Sequence, residues 1–389
     1  MKKLTLLILS CTFVQFTQAQ IEGLYQDEVF DEVSVNTETY STPYNLQVDI
    51  YQAVDSQEEN RPLLILAHGG SFVGGVRQNP TMVTLGNSFA KRGYVVASIS
   101  YRLMGLLDLF SEEAALNGVA EAIGDGRAAV RYFRKSIAEG NPYKINPNQI
   151  FFGGNSAGGL IALHVGFMQE EDITDVLLLE ALANNGGIEG NSGNPGYSSE
   201  ISGAISLSGA LADVNFISIG EDDIAIITCH GDQDETVPYY CGAPLGGIYQ
   251  LPELCGAGSI YDHTQAITFD NHNHLLFEGS GHTPWEFSES AQEQMINFVS
   301  EHLYNALDYS VGVEELSADF SIYPNPVKNI LNVESIKSIY KLIIRNIKGD
   351  EILNINNGKQ ADISSLPQGV YILDIEGEGQ QGRQKFIKL

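Results

Sequence analysis

A single serine lies between two glycines in residues 154–158, Gly-Asn-Ser-Ala-Gly, after an apolar run typical of a strand and before one typical of a helix. Farther along the chain, Asp234 follows one strand-like run and His282 follows the next. A serine hydroxyl is a weak nucleophile until a histidine accepts its proton and a carboxylate orients that histidine. The order Ser156, Asp234, His282 therefore predicts nucleophilic catalysis through a covalent intermediate, with Asp232 as the alternative carboxylate.

Glycines in two stretches are placed to support that serine. Residues 68–72, His-Gly-Gly-Ser-Phe, follow the first buried strand-like run, and glycines there let backbone N–H groups approach a ligand. We expect the N–H of Ala157 and that of Gly70 or Ser71 to form an oxyanion hole. The glycines on either side of the serine clear space around a strained turn, and the helix that starts near Ala157 directs its positive end at the developing negative charge.

These candidates lie in a chain that alternates strand-like and helical patterns. Six short apolar runs are typical of strands buried on both faces: 62–68, 94–100, 149–154, 201–208, 224–230 and 273–279. Helical patterns fall between them, at 81–92, 112–139, 157–170, 258–267 and 288–305. Strand followed by helix, repeated, predicts an α/β fold with a mostly parallel, doubly wound sheet, preceded by an edge hairpin strand at 44–53.

The length of 389 residues predicts more than one domain. Residues 1–19 combine two lysines, an apolar run and a small-residue cleavage site, which is typical of a secretory signal peptide. We expect a catalytic domain over 20–307, a linker over 308–318 and a second domain over 319–389. In this last region, short β runs and turns without a helical pattern predict a small antiparallel sandwich. No later stretch is apolar enough for a membrane span, so we expect a soluble mature protein.

The net charge of −28 is concentrated in one part of the chain. Residues 21–318 contain 41 acidic and 10 basic residues, whereas residues 319–389 contain 8 and 9. An acidic surface repels phosphate backbones and anionic membranes. We therefore do not expect nucleic acid to be a partner of this protein.

Three cysteines remain once the signal peptide is removed. Cys241 and Cys255 bracket a loop with glycine and proline in an exported protein, where a disulfide is chemically permitted. We expect them to be bonded, with two free thiols as the alternative. Cys229 lies in a core-like strand and is expected to be a buried free thiol.

A loop rich in Gly, Asn and Ser at 184–200 is a candidate for the rim of the substrate site, because flexible loops at this edge of such a sheet commonly contact substrates. Tyr197 within it is a candidate to face the pocket, and Trp285, three residues after His282, is a candidate to stack on a sugar or an aromatic acid. Packing within the fold is the alternative for both side chains.

Several histidines also call for a prediction. His272, His274 and Asp270 are residue types that bind zinc, but their position on a strand indicates surface or packing roles, and we expect no metal. His68 and His230 begin the two glycine-containing loops and are expected to be structural.

Residues 40–305 resemble an α/β-hydrolase of the carboxylesterase type, similar to the hormone-sensitive-lipase-like and feruloyl-esterase-like branches. The resemblance rests on the G-x-S-x-G motif around Ser156, the D-x-x-V-P pattern that begins at Asp234, and the His-Gly-Gly-Ser stretch. Those branches usually have a third glycine where this chain has Ser71, which leaves the second oxyanion donor open. The resemblance implies that Asp234, rather than Asp232, is the triad acid.

The same resemblance implies a secreted serine carboxylic-ester hydrolase that forms an acyl-enzyme and needs no cofactor. Export favours small-molecule or polysaccharide-linked esters, feruloyl or acetyl, as substrates, with generic short-chain esters or a polyester as alternatives. A serine peptidase of the prolyl-oligopeptidase kind uses the same residue order, but such enzymes resemble longer chains with an added propeller. A catalytically silent surface-binding hydrolase fold is the other alternative, although such proteins usually lack the serine or the histidine.

The tail resembles the type A C-terminal sorting domain of the type IX secretion system of Bacteroidetes. The residues that carry this resemblance are Tyr-Pro-Asn-Pro at 323–326, the turn at Gly349, Leu-Pro-Gln-Gly-Val-Tyr at 366–371 and Lys-Phe-Ile-Lys-Leu at 385–389. The resemblance implies that the type IX machinery is a partner, and that the protein crosses the outer membrane and then loses its tail. The mature enzyme would then be released or attached to the cell surface. A carbohydrate-binding or adhesion sandwich is the alternative.

Overall fold

The structure, a computed structural model, divides into two compact units, 1–307 and 308–389. It describes residues 21–219, 224–249, 251–307, 320–324, 327–335, 339–346, 351–356, 358–367, 369–377 and 380–388. The predicted signal peptide at 1–19 and linker at 308–318 lie outside the described residues, as do Asn325, Pro326 and Gly349 of the tail motifs.

An eight-stranded sheet forms the centre of the first unit. Its strands are β1 (Val33–Ser41), β2 (Leu46–Ala53), β3 (Arg61–Ala67), β4 (Val95–Ile99), β5 (Ile145–Asn155), β6 (Gly203–Leu207), β8 (Ala225–Gly231) and β10 (His272–Phe277). They are ordered β1-β2-β4-β3-β5-β6-β8-β10. Only the two edge pairings at β2 are antiparallel, so the predicted α/β fold with a mostly parallel sheet is confirmed. Two short strands, β7 (Ala210–Leu211) and β9 (Cys255–Gly256), pair with each other outside this sheet.

Among the described residues, six α-helices accompany the sheet: α1 (Pro80–Lys91), α2 (Glu112–Ala138), α3 (Ala157–Phe167), α4 (Val176–Asn184), α5 (Ala257–Ala266) and α6 (Glu289–Ala306). Side chains of α1 and α6 share a core with one face of the sheet, and those of α2 and α3 share a core with the other. Strand β3 shows why its sequence is apolar throughout: Leu63 and Ile65 enter one core, whereas Leu64 enters the other. The helical patterns predicted from sequence each correspond to one of these helices.

Helix starts follow local chemistry. The hydroxyl of Ser111 accepts a hydrogen bond from the N–H of Ala114 at the start of α2, and that of Ser288 accepts one from Ala291 at the start of α6. Strand β1 and helix α4 were not predicted. Most of β1 is exposed and polar, and α4 is only nine residues long, so neither carries a strong periodic signal.

The sheet topology brings three loops together. Strands β5, β6, β8 and β10 are parallel neighbours, so the segments that follow β5, β8 and β10 all leave from the same edge of the sheet. Those segments contain the predicted nucleophile, acid and base.

The second unit is built from antiparallel strands, as predicted. One sheet pairs β11 (Phe320–Tyr323), β12 (Ile330–Ser335) and β15 (Gln360–Asp362), and the other pairs β14 (Glu351–Asn356), β13 (Ile339–Asn346), β16 (Gly369–Gly377) and β17 (Gln380–Lys388). Both sheets contribute side chains to one small core, including Leu331, Leu342 and Phe386. Across the part of the chain that the structure describes, no helix has the length and apolar character that crossing a bilayer requires.

Candidate active site

Ser156 stands on a tight turn between β5 and α3. Its backbone has φ +54° and ψ −117°, a strained conformation for a residue with a side chain, and its N–H donates to the carbonyl of Leu207 at 2.7 Å. A methyl group on Gly154 would lie 2.2 Å from the carbonyl carbon of Gly158, and one on Gly158 would lie 2.0 Å from the carbonyl oxygen of Ala67. Residues 154 and 158 must therefore both be glycine for this turn to form.

His282 contacts both of the other predicted residues. Its Nε2 lies 2.8 Å from the hydroxyl oxygen of Ser156, and its Nδ1 lies 2.6 Å from Oδ2 of Asp234. Because a carboxylate can only accept a hydrogen bond, the Nδ1–H donates to Asp234, and Nε2 is left to accept from the serine hydroxyl. This arrangement can remove the proton of Ser156 during nucleophilic attack.

The carboxylate of Asp234 is buried and saturated with donors. Its Oδ1 accepts from the N–H groups of Thr236 at 2.8 Å and Val237 at 2.9 Å, and its Oδ2 contacts the imidazoles of His282 and His230. Burial alone would raise the pKa of Asp234, but the hydrogen bonds from His230, His282 and Val237 hold that pKa well below its usual range. Asp234 is therefore a carboxylate at any pH near neutrality. Asp232 instead accepts from the N–H of Gly279 at 2.7 Å.

His230, which was expected from the sequence to be structural, contacts the carboxylate of Asp234 directly. It is fully buried, and its Nε2 lies 3.0 Å from the carbonyl oxygen of Val237 and 3.2 Å from Oδ2 of Asp234. The N–H of Ala257 donates to its Nδ1 at 3.4 Å, so Nε2 carries the proton. His230 thus supplies a second imidazole donor to the carboxylate that orients His282. The sequence signal was present, since position 230 lies at the end of the strand that leads to Asp234.

The predicted oxyanion residues lie beside the serine. A methyl group on Gly69 would be 3.2 Å from Cβ of Ser156, which shows how closely the two loops approach. Gly70 and Ser71 both have positive φ values, +127° and +52°, so this loop is tightly coiled. Ser71, Ala157 and Ser156 line the same cavity. As the first residue of α3, Ala157 has an N–H without a partner within the helix.

Comparisons with known protein families agree with this fold. Residues 48–188 match the BD-FAE family model, and residues 321–389 match the model of the secretion system C-terminal sorting domain. The chain thus contains a BD-FAE domain, of the α/β-hydrolase esterases, and a secretion sorting domain. The BD-FAE match includes Ser156 but ends before Asp234 and His282. The esterase matches no curated protein.

Solved structures similar to the esterase include several of esterase 2 from Thermogutta terrifontis. The form phosphorylated by paraoxon is 19% identical, with a TM-score of 0.51, over 70% of this chain and 94% of that one. The butyrate-bound form is 17% identical, with a TM-score of 0.52, over 71% and 96%. The propionate-bound form is 18% identical, with a TM-score of 0.51, over 70% and 94%. At these identities the likeness shows a shared fold.

Trp285 is a core residue, so the structure supports packing within the fold, one of the two alternatives for this side chain, over contact with a substrate. It is 1% exposed, it packs against Phe277, and its indole N–H donates to Oδ1 of Asn155 at 3.0 Å. Asn155 in turn donates to Glu286 at 2.8 Å. These bonds tie the residue before Ser156 to the segment after His282. Sequence reasoning did not single out Asn155 or Glu286.

The loop at 184–200 is fastened along α2. Arg131 donates to the carbonyl oxygens of Glu189 at 2.9 Å and Gly193 at 3.2 Å, and Ser192 bonds to the buried Asp125. Arg127 and Arg131 also both contact the carboxylate of Glu189, so two arginines of α2 hold this loop. Tyr197 is not among the residues that line the cavity beside Ser156.

The remaining histidines engage hydroxyl groups and backbone. His272 contacts Thr264 and Thr228, and His274 contacts Thr228 and Tyr239, each ring nitrogen lying 2.8–2.9 Å from a hydroxyl oxygen. Among the described residues no group of three or more metal-binding side chains is found. His68 stacks on Tyr101, with ring centres 4.3 Å apart, and its Nδ1 lies 2.8 Å from the carbonyl oxygen of Gly69.

The cysteines have the predicted states. Cys241 and Cys255 form a disulfide, and Cys229 is a buried free thiol whose pKa is raised by burial. The sorting domain indicates export, and an exported protein passes through oxidising compartments where a disulfide can form. The disulfide is therefore consistent with the sorting domain. The sorting domain indicates export of the esterase to the cell surface or the medium.

Proposed function

We propose that the protein is a serine carboxylesterase in which Ser156 forms the acyl-enzyme, His282 transfers protons and Asp234 orients His282. The observation that carries the proposal is the pair of contacts made by one imidazole, 2.8 Å to the serine hydroxyl and 2.6 Å to the buried carboxylate. A hydroxyl, a base and an orienting acid in one chain of hydrogen bonds is the arrangement that acyl transfer requires.

The reaction would run in two halves. The oxygen of Ser156 attacks the ester carbonyl while its proton moves to Nε2 of His282, and Asp234 stabilises the resulting imidazolium. The C–O bond to the alcohol then breaks, and His282 gives its proton to the departing oxygen. Water next attacks the acyl-enzyme and passes a proton to His282, which returns it to Ser156 as the carboxylic acid leaves.

The negative charge that forms on the carbonyl oxygen needs donors. We assign this role to the N–H of Ala157 and to that of Gly70 or Ser71, with Ser71 the better placed because it lines the cavity together with Ser156. The positive end of α3 adds to this stabilisation. Loss of one such donor typically costs about 100–1,000-fold in kcat.

Substrates are expected among carboxylic esters outside the cell. Export favours feruloyl or acetyl esters of polysaccharides, and generic short-chain esters or a polyester are the other candidates. The structural relatives with propionate and butyrate bound favour short aliphatic acyl groups.

The test is hydrolysis of p-nitrophenyl butyrate, methyl ferulate and acetylated xylan by the purified protein and its variants. Ser156→Ala and His282→Ala should each lower kcat by about 10⁴-fold or more. Ser56→Ala, at a serine outside the site, is the matched control and should retain full activity. Activity surviving in Ser156→Ala, or cleavage of amides but of no ester, would contradict the proposal.

A further inference from the structure

A partly open chamber of about 110 Å³ lies beside Ser156 and Ala157. Helix α2 forms one side of it through Ala115, Leu116 and Val119. Its wall also includes Leu160, which lies one helical turn beyond Ser156 on α3 and so brings the chamber directly to the nucleophile.

The disulfide-bounded loop forms another part of the wall. Pro244, Leu245, Leu251, Pro252 and Leu254 all line the chamber, and all lie between Cys241 and Cys255. The disulfide closes the base of this loop, and pairing of β9 with β7 fastens its end to the body of the unit. The shape of this wall therefore depends on a covalent bond that forms only under oxidising conditions.

The chamber is suited to an apolar, uncharged group. Of the described residues that line it, none is Asp, Glu, Lys or Arg. His164 is neutral there, because burial lowers its pKa to about 4. Its Nδ1–H donates to the carbonyl of Leu160 at 2.8 Å, and its Nε2 accepts from the N–H of Ala212 at 3.2 Å, so both ring nitrogens are engaged. A polar substituent entering this space would lose water with few groups to replace it.

The position of the chamber identifies which half of an ester enters it. Ser71 and Ala157, the candidate oxyanion donors, line the chamber, whereas His282 does not. The leaving alcohol must receive a proton from His282, so it departs on the side of the imidazole. The group that extends into the chamber is then the acyl chain.

We infer that the disulfide-walled chamber is the acyl site and that it takes an aliphatic chain longer than acetyl in preference to acetyl or feruloyl. This inference rests on the serine esterase function proposed above. The ring of Phe110 lies 5.0 Å from that of Tyr249, and this contact joins the two segments that contribute Leu109 and Leu245 to the lining. These rings add apolar surface next to the segments that line the chamber.

The experiment compares kcat/KM for p-nitrophenyl acetate, butyrate and octanoate, with methyl ferulate and octyl acetate added to vary the acyl group and the alcohol separately. The wild-type protein should prefer butyrate or octanoate to acetate and ferulate. Ala115→Phe places a ring in the chamber and should lower the octanoate-to-acetate ratio at least about tenfold. Ala114→Phe, on the same helix but outside the lining, is the matched control and should keep the wild-type ratio.

A second variant guards against a folding defect in the first. Cys241→Ser with Cys255→Ser releases the wall and should also lower the octanoate-to-acetate ratio. An unchanged ratio in both variants, with Ser156-dependent activity retained, would overturn the inference and leave the proposed function standing. Selective loss of octyl acetate hydrolysis would overturn it by assigning the chamber to the alcohol. Absence of Ser156-dependent hydrolysis of every ester would instead overturn the proposed function.

Discussion

Replacing Gly158 by alanine tests whether the nucleophile turn is as constrained as its geometry indicates. The added methyl group would lie 2.0 Å from the carbonyl oxygen of Ala67 and 2.9 Å from that of His68. Both neighbours are backbone atoms of a central strand and its loop, so they cannot rotate away. The start of α3 must therefore move by roughly 1 Å, a misplacement that costs about 100-fold in rate.

The predicted outcome has two parts. Overpacking of this kind also costs about 1–3 kcal/mol, so the melting temperature of Gly158→Ala should fall together with its kcat. Gly166→Ala on the same helix is the matched control, because the nearest atom to its new methyl group is the mobile end of Ile224 at 3.0 Å. The control should keep wild-type kcat. Both quantities are measured with p-nitrophenyl butyrate and thermal denaturation, and a kcat for Gly158→Ala within threefold of the wild type would refute the steric argument.

Three further predictions concern the surroundings of the triad and the fold. His230→Ala removes a donor from the triad carboxylate and should lower kcat per titrated active site about tenfold, with His230→Gln retaining more; a purely structural role would reduce the number of active sites but not kcat per site. Cys241→Ser with Cys255→Ser should reduce the free energy of unfolding by about 3 kcal/mol for a loop of this length, and an unchanged denaturation midpoint would contradict that. Burial holds the pKa of His272 at about 3 and that of His274 at about 4, below the unfolded value of about 6.5. The folded state thus resists their protonation, so stability should be full above about pH 6.5 and fall progressively toward pH 4. His274→Gln should show a shallower loss in denaturant titrations at pH 8, 6 and 4, and an equal slope would count against this account.

Much of the fold was predictable because its strands are buried on both faces. Continuous apolar runs such as the one in β3 identify central strands. The glycines at 154 and 158 indicate a turn that only glycine permits. The meeting of Ser156, Asp234 and His282 followed from a topological rule, since loops at the carboxyl ends of parallel strands converge on one edge.

Other features depend on contacts that sequence spacing does not specify. Trp285 was a candidate rim residue, but its ring packs in the core. Its indole N–H donates a hydrogen bond to Asn155, 130 residues earlier in the chain. The loop at 184–200 has the composition of a flexible rim, yet arginines on α2 hold it in place. The acyl chamber combines short segments from distant parts of the chain, so no local pattern reveals it.

The central claim is that Ser156 is the attacking group, and covalent labelling with paraoxon tests it most directly, since a structural relative is an esterase phosphorylated by this reagent. Attack of the serine oxygen on phosphorus should release one equivalent of 4-nitrophenolate per protein and leave a diethylphosphoryl group on Ser156, visible by peptide mass spectrometry. Ser156→Ala should release none and acquire no mass. An adduct on any other residue, or equal release by the alanine variant, would contradict the assignment.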